Sequence, residues 1–391
     1  MRERLENIQA LRGLAALMVL VAHVKGAESD YGGAGTLTPH WLYLGVVGVD
    51  LFFLISGFVM THVALSGARG KDAAGRFFFN RTARIYPVYW AATLLLMILY
   101  AGKHFLFAEA TPFPNPVETF LLLPDDHYPL VPVGWTLVHE MYFYAVFALF
   151  VFWRGARVPV FVGAWAGVLT AGLVFGVFAV NAWTKIIFNP LTFEFIAGAL
   201  IALAVRRGVT SFATSALIAG AAIFAVETAF FADRLYPDVM GQFALRAAIF
   251  TPPFALILYG VAAREKRKLR LAPLWLRRTG DASYSLYLIH VPAFLVVGKL
   301  VSITVSDGAL DNYLLVFAFP ACALAAGLAL HAYVERPLLI ASKKFGDRLF
   351  AARSTAVEAN GTTPPLSAQS PATSAEQAFA PPPFRQAAGG G

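Results

Sequence analysis

Charged side chains are scarce in this 391-residue chain: Asp, Glu, Lys and Arg together make up 14%. Soluble domains carry about 25%, so there are too few charges here to cover a surface in water. Cysteine is nearly missing too. Cys322 stands alone inside an apolar run, which excludes an internal disulfide, a secreted disulfide scaffold and a cysteine-rich zinc site. The chain also lacks a glycine-rich phosphate loop, a nucleic-acid-binding motif, an internal repeat and a soluble second domain. What it has is 58% hydrophobic residues and a net charge of +8. That combination specifies an all-α, polytopic integral membrane protein.

Apolar stretches of about 20 residues cross a bilayer, and about 17 suffice when flanking side chains snorkel. Ten occur, at 8–24, 44–65, 86–102, 136–154, 158–180, 186–205, 211–231, 243–263, 281–302 and 312–334. The first carries Arg12 and has no small-residue cleavage site, so it reads as a retained helix and not a signal peptide. Two connections are very short, marked by Arg154 and Arg157 and by Asn181 and Lys185.

The cationic loops set the orientation. With a cytoplasmic N-terminus, one side holds Arg2, Arg4, Arg69, Lys71, Arg76, Arg81, Arg84, Arg154, Arg157, Arg206, Arg207 and the run from Arg264 to Arg278. The other side holds Lys25, Lys103, Lys185 and Arg234. Ten spans return the C-terminus to the first side, where Lys343, Lys344 and Arg348 agree. The expected topology is N-in and C-in, with residues 1–345 as a ten-helix transmembrane domain. Residues 346–391, rich in Ala, Pro, Ser and Thr, read as a disordered cytoplasmic tail. The outer segment 103–135, with Asp125 and Asp126, is long enough to cap the outer face.

Ionisable groups inside a span are costly unless paired or facing a cavity, so each is a functional candidate. Arg12 and His23 share the first span. Eleven residues at about 100° each return them to one helix face, roughly 16 Å apart along the axis. Each lies near a span end, where snorkelling would also serve; the shared face sets the pair apart. Asp50 opens the string Gly48-Val49-Asp50-Leu51-Phe52-Phe53-Leu54-Ile55-Ser56-Gly57-Phe58 at the outer end of the second span, where an acid also complements a helix dipole. In that string Ser56 and Gly57 read as small packing residues. Glu140 lies in Gly134-Trp135-Thr136-Leu137-Val138-His139-Glu140-Met141-Tyr142-Phe143-Tyr144, near the same outer level. A histidine and a carboxylate at one depth suit a general base and the group that fixes its tautomer. His139 is the second candidate base, turned about 100° from Glu140.

Toward the inner side, Arg76, Arg81 and Arg84 stand among aromatics just before the third span. Arg81 and Arg84 are neighbours on a helix, and paired guanidinium groups suit phosphate; anionic lipid headgroups would attract them equally. Ser283, Tyr287 and His290 follow Asp281, a candidate helix cap, as a polar stripe entering the ninth span. His290 could line a tunnel or satisfy a carbonyl freed by Pro292.

These strings, in this order, resemble membrane-bound acyltransferase family 3, in particular its exopolysaccharide and O-antigen acetyltransferases. The resemblance covers residues 5–340 and rests on the Arg-x10-His pattern of Arg12 and His23. It also rests on the Gly48–Phe58 string, Arg81-Thr82-Ala83-Arg84-Ile85-Tyr86-Pro87, the Gly134–Tyr144 string and Gly280–His290. It implies a multi-pass protein of the bacterial cytoplasmic (inner) membrane that transfers an acyl group, usually acetyl. The donor would be cytoplasmic acetyl-CoA or another acyl-CoA, used as co-substrate with no permanently bound cofactor, metal or nucleic acid. The acceptor would be a hydroxyl of an exopolysaccharide, O-antigen or lipid-linked glycan. His23 matches the catalytic histidine and Glu140 its acidic partner. Arg12, Arg81 and Arg84 match the donor region, and Asp50, Tyr142, Ser283, Tyr287 and His290 are further substrate-binding candidates. Direct transfer and an acyl-histidine intermediate are both compatible with it, as are self-association and polysaccharide-assembly partners.

A transporter or flippase of lipid-linked glycan would also need intramembrane charge. Transporters commonly show inverted repeats and paired broken helices, and this chain shows neither. A partner-binding scaffold would leave the Arg12/His23 face without a purpose.

Overall fold

The computed structural model describes residues 5–32, 35–107, 114–153, 157–235, 241–269, 272–304 and 309–360. Arg2, Arg4, Arg154 and the sequence beyond 360 lie outside them. The chain divides into two compact units, Met1–Arg348 and Leu349–Gly391, and the fold below is that of the first. Its helices are α1 (Glu6–Tyr31), α2 (Gly48–Leu65), α3 (Lys71–Phe107), α4 (Pro116–Leu121), α5 (Trp135–Phe152), α6 (Val158–Val174) and α7 (Ala182–Ile187). They continue as α8 (Thr192–Arg206), α9 (Ala213–Leu235), α10 (Phe243–Lys266), α11 (Leu274–Asp281), α12 (Ser283–Thr304), α13 (Ala309–Leu330) and α14 (Arg336–Asn360), of which the part through Arg348 belongs to this unit. No strand occurs among the described residues.

Nine helical stretches among the described residues are long and apolar enough to cross a bilayer. The tenth expected span, α6, has 17 residues and ends at Val174, where Gly176 adopts a left-handed φ of 69°. Several expected boundaries move. The helix over the third span begins at Lys71, not at 86, so Arg76, Arg81 and Arg84 belong to α3 itself. Lys25 is no loop cation: α1 continues to Tyr31, and Lys25 is buried with its ammonium donating to Thr36. Asp281 does not cap α12; it closes α11 and accepts a hydrogen bond from Gln9 of α1 at 2.8 Å.

Without water between them, membrane helices associate through close packing, which small residues permit. Gly57 of α2 and Gly198 of α8 form such a crossing. A Cβ on Gly57 would lie 1.9 Å from the Phe195 carbonyl oxygen, and one on Gly198 would lie 1.9 Å from that of Leu54. The Ser56-Gly57 pair is thus half packing device, as expected. Around this crossing Phe143, Phe147, Trp165 and Phe195 form one aromatic cluster joining α5, α6 and α8. The outward faces carry bare apolar side chains such as Ile98, Leu149 and Phe317, the surface that lipid covers.

The expected cap is anchored through α4. Its last carbonyls lack helical partners, and three aromatic donors of α3 supply them. Tyr89 OH bonds Thr119 O at 2.8 Å, Trp90 Nε1 bonds Phe120 O at 2.8 Å and Tyr86 OH bonds Leu121 O at 2.7 Å. Lys185 pairs with Asp126 at 2.7 Å and ties the same loop to α7.

Candidate active site: a cationic cavity among five helices

Five helices line a cavity that is partly open to its surroundings. α1 contributes Arg12, α2 Phe52 and Ser56, α3 Arg81 and Arg84, α5 Thr136, Glu140 and Tyr144, and α12 Ser283, Tyr284 and Tyr287. Six of the ten sequence candidates therefore meet here: Arg12, Arg81, Arg84, Glu140, Ser283 and Tyr287. Beside Arg12, Gly13 brings α1 against α11. A Cβ there would lie 2.5 Å from Leu276 O, so α1 and α11 cross closely at that point. The Arg12 guanidinium donates to Gln9 Oε1 at 3.2 Å, and Gln9 is itself held by Asp281. Arg81 stacks over Phe77, 5.7 Å from its centroid. Arg84 is half-buried and makes no hydrogen bond or ion pair with any described residue.

Glu140 is anchored inside the cavity. Ser56 Oγ donates to its Oε1 at 2.8 Å and Tyr144 OH donates to its Oε2 at 3.2 Å. The expected hydrogen-bonded pair of Glu140 with His23 is not formed. The physical reason is depth: Glu140 shares its cavity with Arg12, and His23 lies roughly 16 Å further along α1. The His23 tautomer is fixed instead by its own helix, since Nδ1 lies 2.8 Å from Val19 O. A carbonyl can only accept, so Nδ1 carries the proton and Nε2 keeps its lone pair.

His23 packs edge-on against His290, with centroids 4.7 Å apart. His290 in turn lies 5.9 Å from Tyr287, so rings lead from the cavity wall to His23. Tyr287 OH donates to Val133 O at 3.1 Å and accepts from Thr136 Oγ1 at 3.0 Å. The His290 Nδ1 faces Leu286 O at 3.3 Å, one turn back. That is not the carbonyl of Leu288 which Pro292 leaves without its helical donor. The buried Nε2 of His290 and the buried Ser283 Oγ have no hydrogen-bond partner among the described residues.

Two candidates stand apart from the cavity. Tyr142 belongs to the aromatic cluster: its OH donates to Ile187 O at 3.3 Å and accepts from Trp165 Nε1 at 3.0 Å. Asp50 forms a fully buried ion pair with Arg246 of α10, joined by a fork in which Arg246 Nε meets Asp50 Oδ1 at 3.3 Å. Glu194 of α8 interacts electrostatically with both. His139 is also outside, with Nδ1 3.0 Å from Trp135 O and its ring against Phe53.

Sequence reasoning missed several of these groups. Arg246 and Glu194 fall inside expected spans, and a stricter count of intramembrane charge would have found them. Tyr144 follows Glu140 by one helical turn, so its contact was available from spacing. Glu335 lies one residue past the last expected span. It is buried, accepts from Ser285 Oγ at 2.7 Å, and pairs with His331 at 2.8 Å across a π-helical turn. Its field reaches Arg12 and Arg84. No group of three or more metal-ligating side chains occurs among the described residues.

A helical, multi-pass membrane protein with arginines and a carboxylate gathered in an internal cavity is the class these features define. The chain belongs to acyltransferase family 3: the family's Acyltransferase domain matches residues 5–333. It is an acyltransferase. It is similar to "Exopolysaccharide production protein ExoZ" of Rhizobium meliloti (strain 1021), 34% identical over 334 residues, covering 78% of this chain and 93% of that protein. It is also similar to "Acyltransferase MdmB" of Streptomyces mycarofaciens, 29% identical over 382 residues, covering 86% and 92%. No solved structure matches the chain.

Proposed function

We propose that this enzyme moves an acyl group, acetyl by its family resemblance, from acyl-CoA to a hydroxyl of an exopolysaccharide, O-antigen or lipid-linked glycan. The membrane is the bacterial cytoplasmic membrane, with both termini inside. The observation that carries the reading is Arg84, a half-buried guanidinium with no hydrogen bond or ion pair to any described residue, in a cavity that also holds Arg12 and Arg81. Such a group calls for an anionic ligand. A nucleotide diphosphate at the arginines leaves a pantetheine arm to run along Ser283 and Tyr287 toward His290 and His23. The likeness to an exopolysaccharide production protein supports a polysaccharide acceptor.

In this reading His23 Nε2 takes the proton of the acceptor hydroxyl. The oxygen bonds to the thioester carbonyl carbon, the C–S bond breaks, and the proton passes to the departing thiolate. An ester and a free thiol result. Val19 holds the imidazole in the required tautomer, and Glu140 organises Ser56 and Tyr144 at the donor end. General-base catalysis contributes roughly 100-fold or more. Mass spectrometry of the glycan from cells carrying His23→Ala is expected to show ester groups lost with polymer export intact. Unchanged acylation together with lost export would favour the flippase and overturn the proposal.

A further inference from the structure

Outside the cavity, α3 and α14 enclose an open recess lined by Arg76, Asn80, Arg84, Ser342, Lys343 and Asp347. A second recess between them and the α2 end shares Arg76, Asn80 and Arg84 with it, and shares Arg81 and Arg84 with the internal cavity. Arg84 lines all three. The three hollows are therefore consecutive, with Arg81 and Arg84 at the joint. The sequence string around Arg81 and Arg84 accounts for the joint and the inner cavity, and leaves the outer recess unexplained.

The outer recess holds three cationic side chains and one carboxylate, which leaves two positive charges in surplus. Asp347 pairs with Arg76 and so holds that guanidinium at the wall. Lys343 is exposed and makes no hydrogen bond or ion pair with any described residue. Leu339 and Lys343 lie one turn apart on α14, so both face the recess, which they line. A surplus of two charges with Ser and Asn donors beside it matches a phosphate monoester dianion. The ligand proposed for the inner cavity carries such a group, remote from its thioester.

We propose that Lys343, with Asn80 and Arg84, binds the 3′-phosphate of the donor's ribose, so that α14 forms part of the donor site. The inference rests on the acyl-CoA reading of the inner cavity. A phospholipid headgroup offers the same phosphate chemistry, and the experiment separates the two sources. The full chain, purified in a phosphate-free maltoside detergent, is titrated with acetyl-CoA and with 3′-dephospho-acetyl-CoA. Wild type should prefer acetyl-CoA by roughly tenfold, as loss of a charge-assisted contact implies. Lys343→Gln should weaken acetyl-CoA by a similar factor, leave the dephospho compound unchanged, and so erase the preference. Lys344→Gln, also exposed on α14 but absent from the recess lining, should behave as wild type.

A preference retained in Lys343→Gln would overturn the assignment while leaving acyl-CoA binding itself in place. A Lys343→Gln effect seen only in phosphatidylglycerol nanodiscs, and not in detergent, would give the recess to a lipid headgroup and likewise overturn it. Failure of wild type to bind either compound would overturn the donor reading as well.

Discussion

Asp50 and Arg246 show how a single residue type changes meaning with its surroundings. Both are fully buried, and each satisfies the other through a two-bond fork. Taking two charges out of water costs several kcal/mol per ion, and mutual attraction offsets this only while the pair is complete. Arg246→Leu alone leaves a buried carboxylate unanswered and is expected to cost roughly 3–5 kcal/mol. Asp50→Leu with Arg246→Leu should recover much of that loss. Thermal unfolding in detergent checks both variants, and equal instability of single and double variants would deny the coupling. From sequence, Asp50 read as a ligand-binding candidate because its partner lies 196 residues away. Spacing on one helix cannot reveal a contact made between two. Arg12 was legible for the opposite reason, since the spacing that pairs it with His23 on one face lies within one helix.

Among the elements, α2 and α8 pack backbone against backbone. Gly57 and Gly198 each bring their helix onto the other's backbone, with no room for a Cβ. Gly198→Ala is expected to force the helices apart and to destabilise the protein by about 1–3 kcal/mol, lowering the melting temperature in a thermal-shift assay. An unchanged melting temperature would mean that the crossing yields freely. Because Ser56 precedes Gly57, the same substitution should disturb the Ser56–Glu140 hydrogen bond. The existence of the long helices was readable from apolar length, whereas their ends were not. α3 runs through a charged and aromatic segment with no break until Phe107, because helical backbone continues into polar surroundings wherever nothing stops it. Pro87 sits inside it and does not end it.

At the scale of the molecule, the surplus of positive charge acts twice. It gives the chain a cationic side, and part of it borders the cavity and its outer recesses through Arg76, Arg81, Arg84 and Lys343. The proposed orientation is tested by single cysteines in a Cys322→Ser background. Lys71→Cys should resist a membrane-impermeant maleimide added to intact cells, and Lys103→Cys should react. The reverse pattern would invert the topology and detach the donor site from the cytoplasm. The class of protein followed from composition because a bilayer imposes one demand on every span. The cavity did not follow, since it is assembled from five helices distributed between residues 12 and 287.

The bond from His23 to the Val19 carbonyl carries a consequence for how this enzyme tolerates change. Every amino acid supplies the same carbonyl, so substitution at position 19 leaves the imidazole's proton where it is. An orienting carboxylate would have exposed that setting to a single base change in the gene. Here it depends on the winding of α1, and only a disruption of the helix itself can alter it. Drift among side chains along this helix can then reshape what surrounds His23 without moving that proton.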